Sequence, residues 1–299
     1  MTSPLHLVEI AIEALSQADA DKLHDALERI SAGDDSFAVT TDRESGQTIL
    51  SASNERHLET SIARLQDEFD INVRVGAPQV CFRETLSRPV TVDHTYKRQI
   101  GDRGEFARVK IEFEPLLPGS GYVFENDCSA DAIPTELVPA IDKGIQAQKD
   151  GGLLAGFLVI DFRARLVGGA YHEVDSNALT FEIAGRAAFR ELARENTAAL
   201  LEPFMRIEVI TPDNFIGSVI LDLNSRRGYV QTTDSRGDVL ILTATVPLAE
   251  LFGYENFLAS MTQNAAQCIM HFDRYEPVPK SPDDDPDYPF PVAAALRVA

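Results

Sequence analysis

From residue 5 the chain alternates between two hydrophobic periods. Residues 5–12 mix apolar and polar side chains in a strand-like run, and Leu23, Leu27 and Ile30 then recur at helical spacing behind Asp19, which is placed to cap the helix. Residues 36–41 and 47–51 flank the turn-rich Asp42-Arg43-Glu44-Ser45-Gly46, which predicts a hairpin. Asn54 is a good N-cap for a second helix with Leu58, Ile62, Leu65 and Phe69 on one face, and residues 71–75 close the set as a strand. Strand, helix, two strands, helix, strand is the split βαββαβ order of a ferredoxin-like unit.

Residues 201–276 repeat that order without obvious sequence identity. A strand over 201–210 leads to Thr211-Pro212-Asp213, read as N-cap, first helical residue and an acid on the positive helix end. The helix buries Phe215, Val219, Ile220 and Leu223, carries Arg226 and Arg227 in its last turn and stops at Gly228. A hairpin over 229–246 turns at residues 234–238, and a short helix from Leu248 leads to a strand over 267–272. Between the two units, residues 77–200 read as several strands with two late helices, at 134–149 and 176–195, the second with Phe181, Ala184, Ala188 and Leu192 on its apolar face. The expected division is therefore 1–76, 77–200, 201–276 and a Pro- and Asp-rich tail, 277–299, too polar to offset its ordering entropy.

Composition narrows what these units do. A chain of 299 residues with 44% hydrophobic content supports more than one packed core. Its net charge of −20 argues against a general nucleic-acid coat, although a local basic tip is compatible with it. Cys81, Cys128 and Cys268 lie far apart without a CxxC pair, which points to neither zinc nor a disulfide framework, and a reducing cytoplasm is the expected compartment. No apolar run approaches a membrane span, and the first residues lack a signal-peptide pattern.

Two polar loops carry the chemistry. In Gly168-Gly169-Ala170-Tyr171-His172-Glu173-Val174-Asp175-Ser176, between a strand over 157–167 and a helix from about Ser176, the residues Tyr171, His172, Glu173 and Asp175 form a titratable cluster. An acid–base or metal role is a minority reading, because the cluster lies in one loop and no HExxH occurs; Asp175 or Ser176 is expected to cap the next helix. The second loop, residues 96–110, holds Lys97, Arg98, Arg103, Arg108 and Lys110 against Asp102 and Glu105, with Gly101 and Gly104 permitting a tight hairpin. Such a hairpin is commonly a solvated edge; contact with RNA backbone gains weight if His172 projects from the same end. The sequence contains no GxxxxGK[ST], no Asn-Lys-x-Asp and no GxSxG, so neither GTP binding by a phosphate loop nor self-contained catalysis is expected.

These motifs, in this order, resemble the C-terminal half of bacterial translation elongation factor G. The resemblance rests on Gly76-Ala77-Pro78-Gln79-Val80, Arg83-Glu84-Thr85, Arg98-Gln99 before Gly104-Glu105-Phe106, Phe113-Glu114-Pro115-Leu116 and Gly169-Ala170-Tyr171-His172-Glu173-Val174-Asp175-Ser176. It continues through Glu202-Pro203-Phe204-Met205, the run Asp222-Leu223-Asn224-Ser225-Arg226-Arg227-Gly228 and Val246-Pro247-Leu248-Ala249-Glu250-Leu251-Phe252-Gly253-Tyr254. The chain departs from the family's pattern at Ile100, Asp102, Leu221, Ser53-Asn54-Glu55-Arg56-His57 and Gln263-Asn264-Ala265-Ala266.

The resemblance implies an α+β architecture: two ferredoxin-like domains flanking a central α/β domain like the second domain of ribosomal protein S5, the third to fifth domains of the factor. It implies a monomer that binds the ribosome, both RNA and proteins. The tip of the tRNA-mimicking central domain would enter the decoding site and promote movement of tRNA and mRNA. Lys97, Arg98, Gly101, Asp102, Arg103, Gly104, Tyr171, His172, Glu173 and Asp175 would form that tip, with Arg226 and Arg227 a second contact; interaction with the helix C-terminus is the bland alternative for these two. GTP and Mg would belong to a GTPase domain outside this chain, which itself would need no cofactor. The competing expectations are a ribosome-binding regulator or a recycling- or protection-type relative that does not translocate, and a small-molecule enzyme centred on His172, Glu173 and Asp175.

Overall fold

In a computed structural model of the protein, residues 6–42, 46–100, 103–195, 197–237 and 239–279 are described, with backbone alone at Ile100 and Arg103. The chain forms two compact units. Among the described residues, one takes residues 6–81 together with Glu202–Arg274; the other takes Phe82–Leu201 with residues 275–279.

The first segment follows the predicted order: β1 (Val8–Ala14), α1 (Gln17–Ser31), β2 (Phe37–Thr41), β3 (Thr48–Ala52), α2 (Glu55–Phe69) and β4 (Val73–Val75), with the short β5 (Gln79–Val80) added. The sheet runs β2-β3-β1-β4, and β5 also pairs β1. Val8, Ile10 and Ile12 alternate inward on β1, so the strand has one core face. On the helices, Leu23, Ala26, Leu27 and Ile30 of α1 and Leu58 and Leu65 of α2 are buried against it. Asn54 caps α2 as expected, accepting the His57 N–H at 2.9 Å. For α1 the cap is Ser16, not Asp19: Ser16 Oγ accepts the Asp19 N–H at 3.1 Å, and the Asp19 carboxylate, three residues in, takes the Ser16 hydroxyl and the Asn72 N–H. Those donors, the Ser16 hydroxyl foremost, hold Asp19 below the usual carboxylate range.

The central segment begins with β6 (Arg83–Leu86) and continues as β7 (Val90–Ile100), β8 (Arg103–Pro115), β9 (Tyr122–Asn126), α3 (Val138–Lys149), β10 (Phe162–Ala170) and α4 (Ala178–Glu191). Its four-stranded sheet runs β7-β8-β10-β9, with β9 and β10 parallel and the other pairs antiparallel. The inward residues Val109, Ile111, Phe113, Phe162, Ala164 and Leu166 meet Phe181, Ala184, Ala188 and Phe189 of α4, all fully buried. α3 and α4 cross where neither has a side chain. A Cβ on Gly144 would stand 2.2 Å from Glu182 O, and one on Gly185 2.5 Å from Ile141 O, so both positions require glycine. Glu84, fully buried on β6, accepts the amides of Leu153, Leu154, Ala155 and Phe157 and thereby fixes the loop between α3 and β10.

The last segment comprises β11 (Ala198–Pro212), α5 (Asp213–Ser225), β12 (Tyr229–Arg236), β13 (Val239–Pro247), α6 (Tyr254–Met261) and β14 (Gln267–Pro277), in the sheet order β12-β13-β11-β14. This is a second ferredoxin-like sheet. The start of β11 also pairs with β6, from Ala198↔Leu86 to Leu201↔Arg83. Pairing lengthens both outer predictions: β11 begins before residue 201 because β6 offers it a ladder, and β14 continues past residue 272 to Pro277. Pro212 is the N-cap of α5, not its first helical residue, and Thr211 is buried at the end of β11. Val219 and Leu223 are the buried residues of α5, whereas Phe215 and Ile220 are half-buried. From Lys280 onward the predicted acidic tail lies outside the described residues.

Candidate functional site

The strand β10 runs three residues further than its sequence predicts. Gly168, Gly169 and Ala170 stay in register with Lys110, Val109 and Arg108 of β8, after a bulge between Leu166 and Gly168, so the polar loop is only Tyr171 to Asn177. Within it Tyr171, His172, Glu173 and Val174 are exposed, Val174 to 84%. The β7–β8 hairpin, closed by Ile100↔Arg103, ends beside it; Gly101 and Asp102 lie outside the described residues, and Arg103 enters through its backbone alone.

Four contacts join the two loops or close the His172 loop. Phe106 N–H donates to Asp175 O at 3.0 Å, and Ser176 Oγ donates to Phe106 O at 2.6 Å. The same hydroxyl accepts the His172 N–H at 2.9 Å, while Ser176 N–H donates to His172 O at 3.0 Å. His172 and the hairpin therefore share one end of the central sheet. The imidazole Nδ1 lies 3.2 Å from Asp175 Oδ2, with the Val174 and Asp175 amides at 3.4 and 3.3 Å. A neutral ring accepts from those amides and a protonated one pairs with the carboxylate.

Neither Asp175 nor Ser176 caps the next helix. Asn177 does: its side chain accepts the Thr180 N–H at 3.0 Å, and Thr180 Oγ1 accepts the Asn177 N–H at 3.0 Å, a reciprocal capping box. Ser176 is unavailable because its hydroxyl is committed to Phe106 O and its oxygen to the His172 amide. An Asn three residues before a Thr was a legible cap signal, overshadowed by the Asp-Ser pair in front of it.

The basic residues divide between faces. On β7 side chains alternate, so exposed Lys97 faces one way with Asp93, while Arg98 shares the opposite face with Tyr96 and its partner Glu105. Tyr96 Oη donates to Glu105 at 2.8 Å, which raises the phenol's pKa, and Arg108 forks onto Asp93 at 2.8 and 2.6 Å, which lowers that of the carboxylate. Lys97 and Arg98 are thus the described tip cations exposed to solvent with no carboxylate bridge.

Arg226 and Arg227 occupy a different environment. Arg226 pairs with Asp222 at 2.9 Å, donates to Glu250 O at 2.7 Å and stacks over the rings of Tyr254 and Phe257. Arg227 forks onto Glu202, at 2.5 and 3.1 Å, where the carboxylate is buried. Both are internal ties of their unit. A metal site is not assembled: among the described residues no group of three His, Cys, Asp or Glu is placed to hold an ion. No helix of the described residues is long and apolar enough to cross a membrane.

Two ferredoxin-like sheets in sequence on either side of a four-stranded sheet with paired end loops define the C-terminal architecture of a translation elongation factor. Residues 3–77 match elongation factor G domain III, residues 78–196 its domain IV and residues 199–286 its C-terminus. The chain belongs to the elongation factor G family. It is 49% identical over 285 residues to elongation factor G of Paracoccus denitrificans and, to the same degree, to that of Cereibacter sphaeroides, with 95% of this chain and 40% of each relative aligned. A crystal structure of a Thermus thermophilus protein superposes with a TM-score of 0.76 at 32% identity, covering 100% of this chain and 43% of that one. The chain therefore spans 40% of the length of these curated relatives and corresponds to the C-terminal part of a translation factor.

Proposed function

We propose that this chain is the ribosome-engaging part of a translocation factor, whose central-domain tip enters the decoding site of the small subunit and promotes movement of tRNA and mRNA. One observation carries the reading: the basic hairpin and the His172 loop, which the family resemblance assigns to a single contact tip, are hydrogen-bonded to each other at one end of the central sheet. Tyr171, His172, Glu173 and Asp175 lie there with Lys97, Arg98 and Gly104 of the other loop, and the family resemblance alone adds Gly101, Asp102 and Arg103 to the same contact. The exposed imidazole suits contact with RNA better than acid–base chemistry, which works best in a site shielded from bulk water. GTP and Mg belong to the GTPase part of the full-length family, and this portion acts by binding in the cytoplasm, as a monomer and away from membranes. Because Arg226 and Arg227 are paired internally, the described contact cations reduce to Lys97 and Arg98.

Co-sedimentation with ribosomes tests the reading. Binding should weaken with added salt, with a log–log slope of about −2, as expected for some three phosphate contacts to single-stranded RNA. Substituting Lys97, Arg98 and Arg103 together should flatten that slope, and failure of the wild-type chain to bind at low salt would refute the proposal.

A further inference from the structure

We infer that Ser176 is the positioning residue of the tip: its hydroxyl fastens the imidazole loop to the β7–β8 hairpin, so that the two loops present themselves as one body. This rests on the tip reading above. Both backbone groups of Phe106 are committed to the loop, the N–H to Asp175 O and the carbonyl to Ser176 Oγ, and of these two bonds only the second is made by a side chain. The hydroxyl spans both loops, because the oxygen that donates to Phe106 O also accepts the His172 N–H. Ser176 N–H donates to His172 O, so residues 172–176 form a turn closed from both ends. The next helix has no need of this side chain, since Asn177 and Thr180 cap it. A hydroxyl unneeded by the helix, tying the contact loop to its neighbour, is where the orientation of His172 is set.

Alanine at 176 leaves Phe106 O and His172 N–H to water. His172 is exposed and Phe106 and Ser176 are only half-buried, so the fold survives and the pose of the imidazole relaxes. Threonine keeps the bridging oxygen. The expected pattern separates pose from affinity, because Lys97 and Arg98 lie outside the fastening.

The test uses the 299-residue chain, its Ser176→Ala and its Ser176→Thr variants. Amide exchange at His172, read by NMR, should accelerate about tenfold in Ser176→Ala, the loss of one hydrogen bond's worth of protection, with the exchange of core amides unchanged. On ribosomes, Ser176→Ala should bind within about threefold of wild type, since its charge is unchanged, yet lose chemical protection of decoding-site RNA, which Ser176→Thr retains. Wild-type exchange and wild-type protection in Ser176→Ala would overturn the inference, as would loss of protection in Ser176→Thr. If the unsubstituted chain protects no decoding-site RNA, the tip reading fails, while the His172 exchange still reports whether Ser176 fastens the loops.

Discussion

Gly104 lies beneath the carboxylate of Asp175: a Cβ at position 104 would come within 2.7 Å of Cγ and Oδ2 and 2.9 Å of Oδ1. Glycine on the hairpin is therefore a condition for Asp175 to rest where it meets His172 Nδ1. In Gly104→Ala the carboxylate must turn away, and its partial exposure makes that inexpensive, about 1 kcal/mol. The expected result is a near-native urea midpoint with a shifted and broadened His172 imidazole resonance. An imidazole spectrum identical to wild type would show that Asp175 does not orient the ring.

The difference between what was legible and what was not follows from range. Both βαββαβ orders were readable, because periodicity and hairpin turns are local; even Leu23, Leu27 and Ile30 could be named as a buried face. The caps stand one to three residues from the positions the sequence favours where several capping side chains lie in a row: Ser16 before Asp19, and Asn177 behind Asp175 and Ser176. A partner distant in sequence decides which of them is free, as Phe106 does for Ser176 across 70 residues. The two polar loops stand out by motif, yet their fastening to each other is invisible in the sequence, since it consists largely of backbone groups that any residue carries. Likewise nothing near Arg227 announces Glu202, and the glycines at the α3–α4 crossing read as weak helix positions until the two helices meet.

Arg227 is the C′ residue of a Schellman motif, with φ of 59°, where glycine is normal. Its N–H donates to Asn224 O at 3.2 Å, and Gly228 N–H donates to Leu223 O at 2.8 Å. Arg227→Gly removes a left-handed strain of about 1 kcal/mol. It also strips Glu202, buried on β11, of its guanidinium, a loss of about 3 kcal/mol after allowing for the partial exposure of Arg227. The single variant should therefore be less stable by about 2 kcal/mol, the second effect outweighing the first. Adding Glu202→Gln removes the unpaired charge and should recover most of that loss. A double-mutant cycle from urea unfolding measures the coupling, and an Arg227→Gly protein more stable than wild type would contradict this account of the pair.

Burial pushes the Cys268 thiol up to about 11 from an ordinary 9.0, and the Glu255 carboxylate adds to the effect. The raised value means that the folded protein holds the thiol proton more tightly than the unfolded chain does. Full stability from this group is consequently present below pH 9, and it falls between pH 9 and 11, where the unfolded thiol has ionised and the folded one has not. Because only the thiolate reacts, alkylation by iodoacetamide should remain slow at pH 9 in the native protein and rise toward pH 11, while urea-unfolded chain reacts with a midpoint near 9. Peptide-resolved mass spectrometry separates Cys268 from Cys81 and Cys128 in the same sample. A native Cys268 profile that coincides with the unfolded one would place this thiol in water and remove its contribution to the alkaline loss of stability.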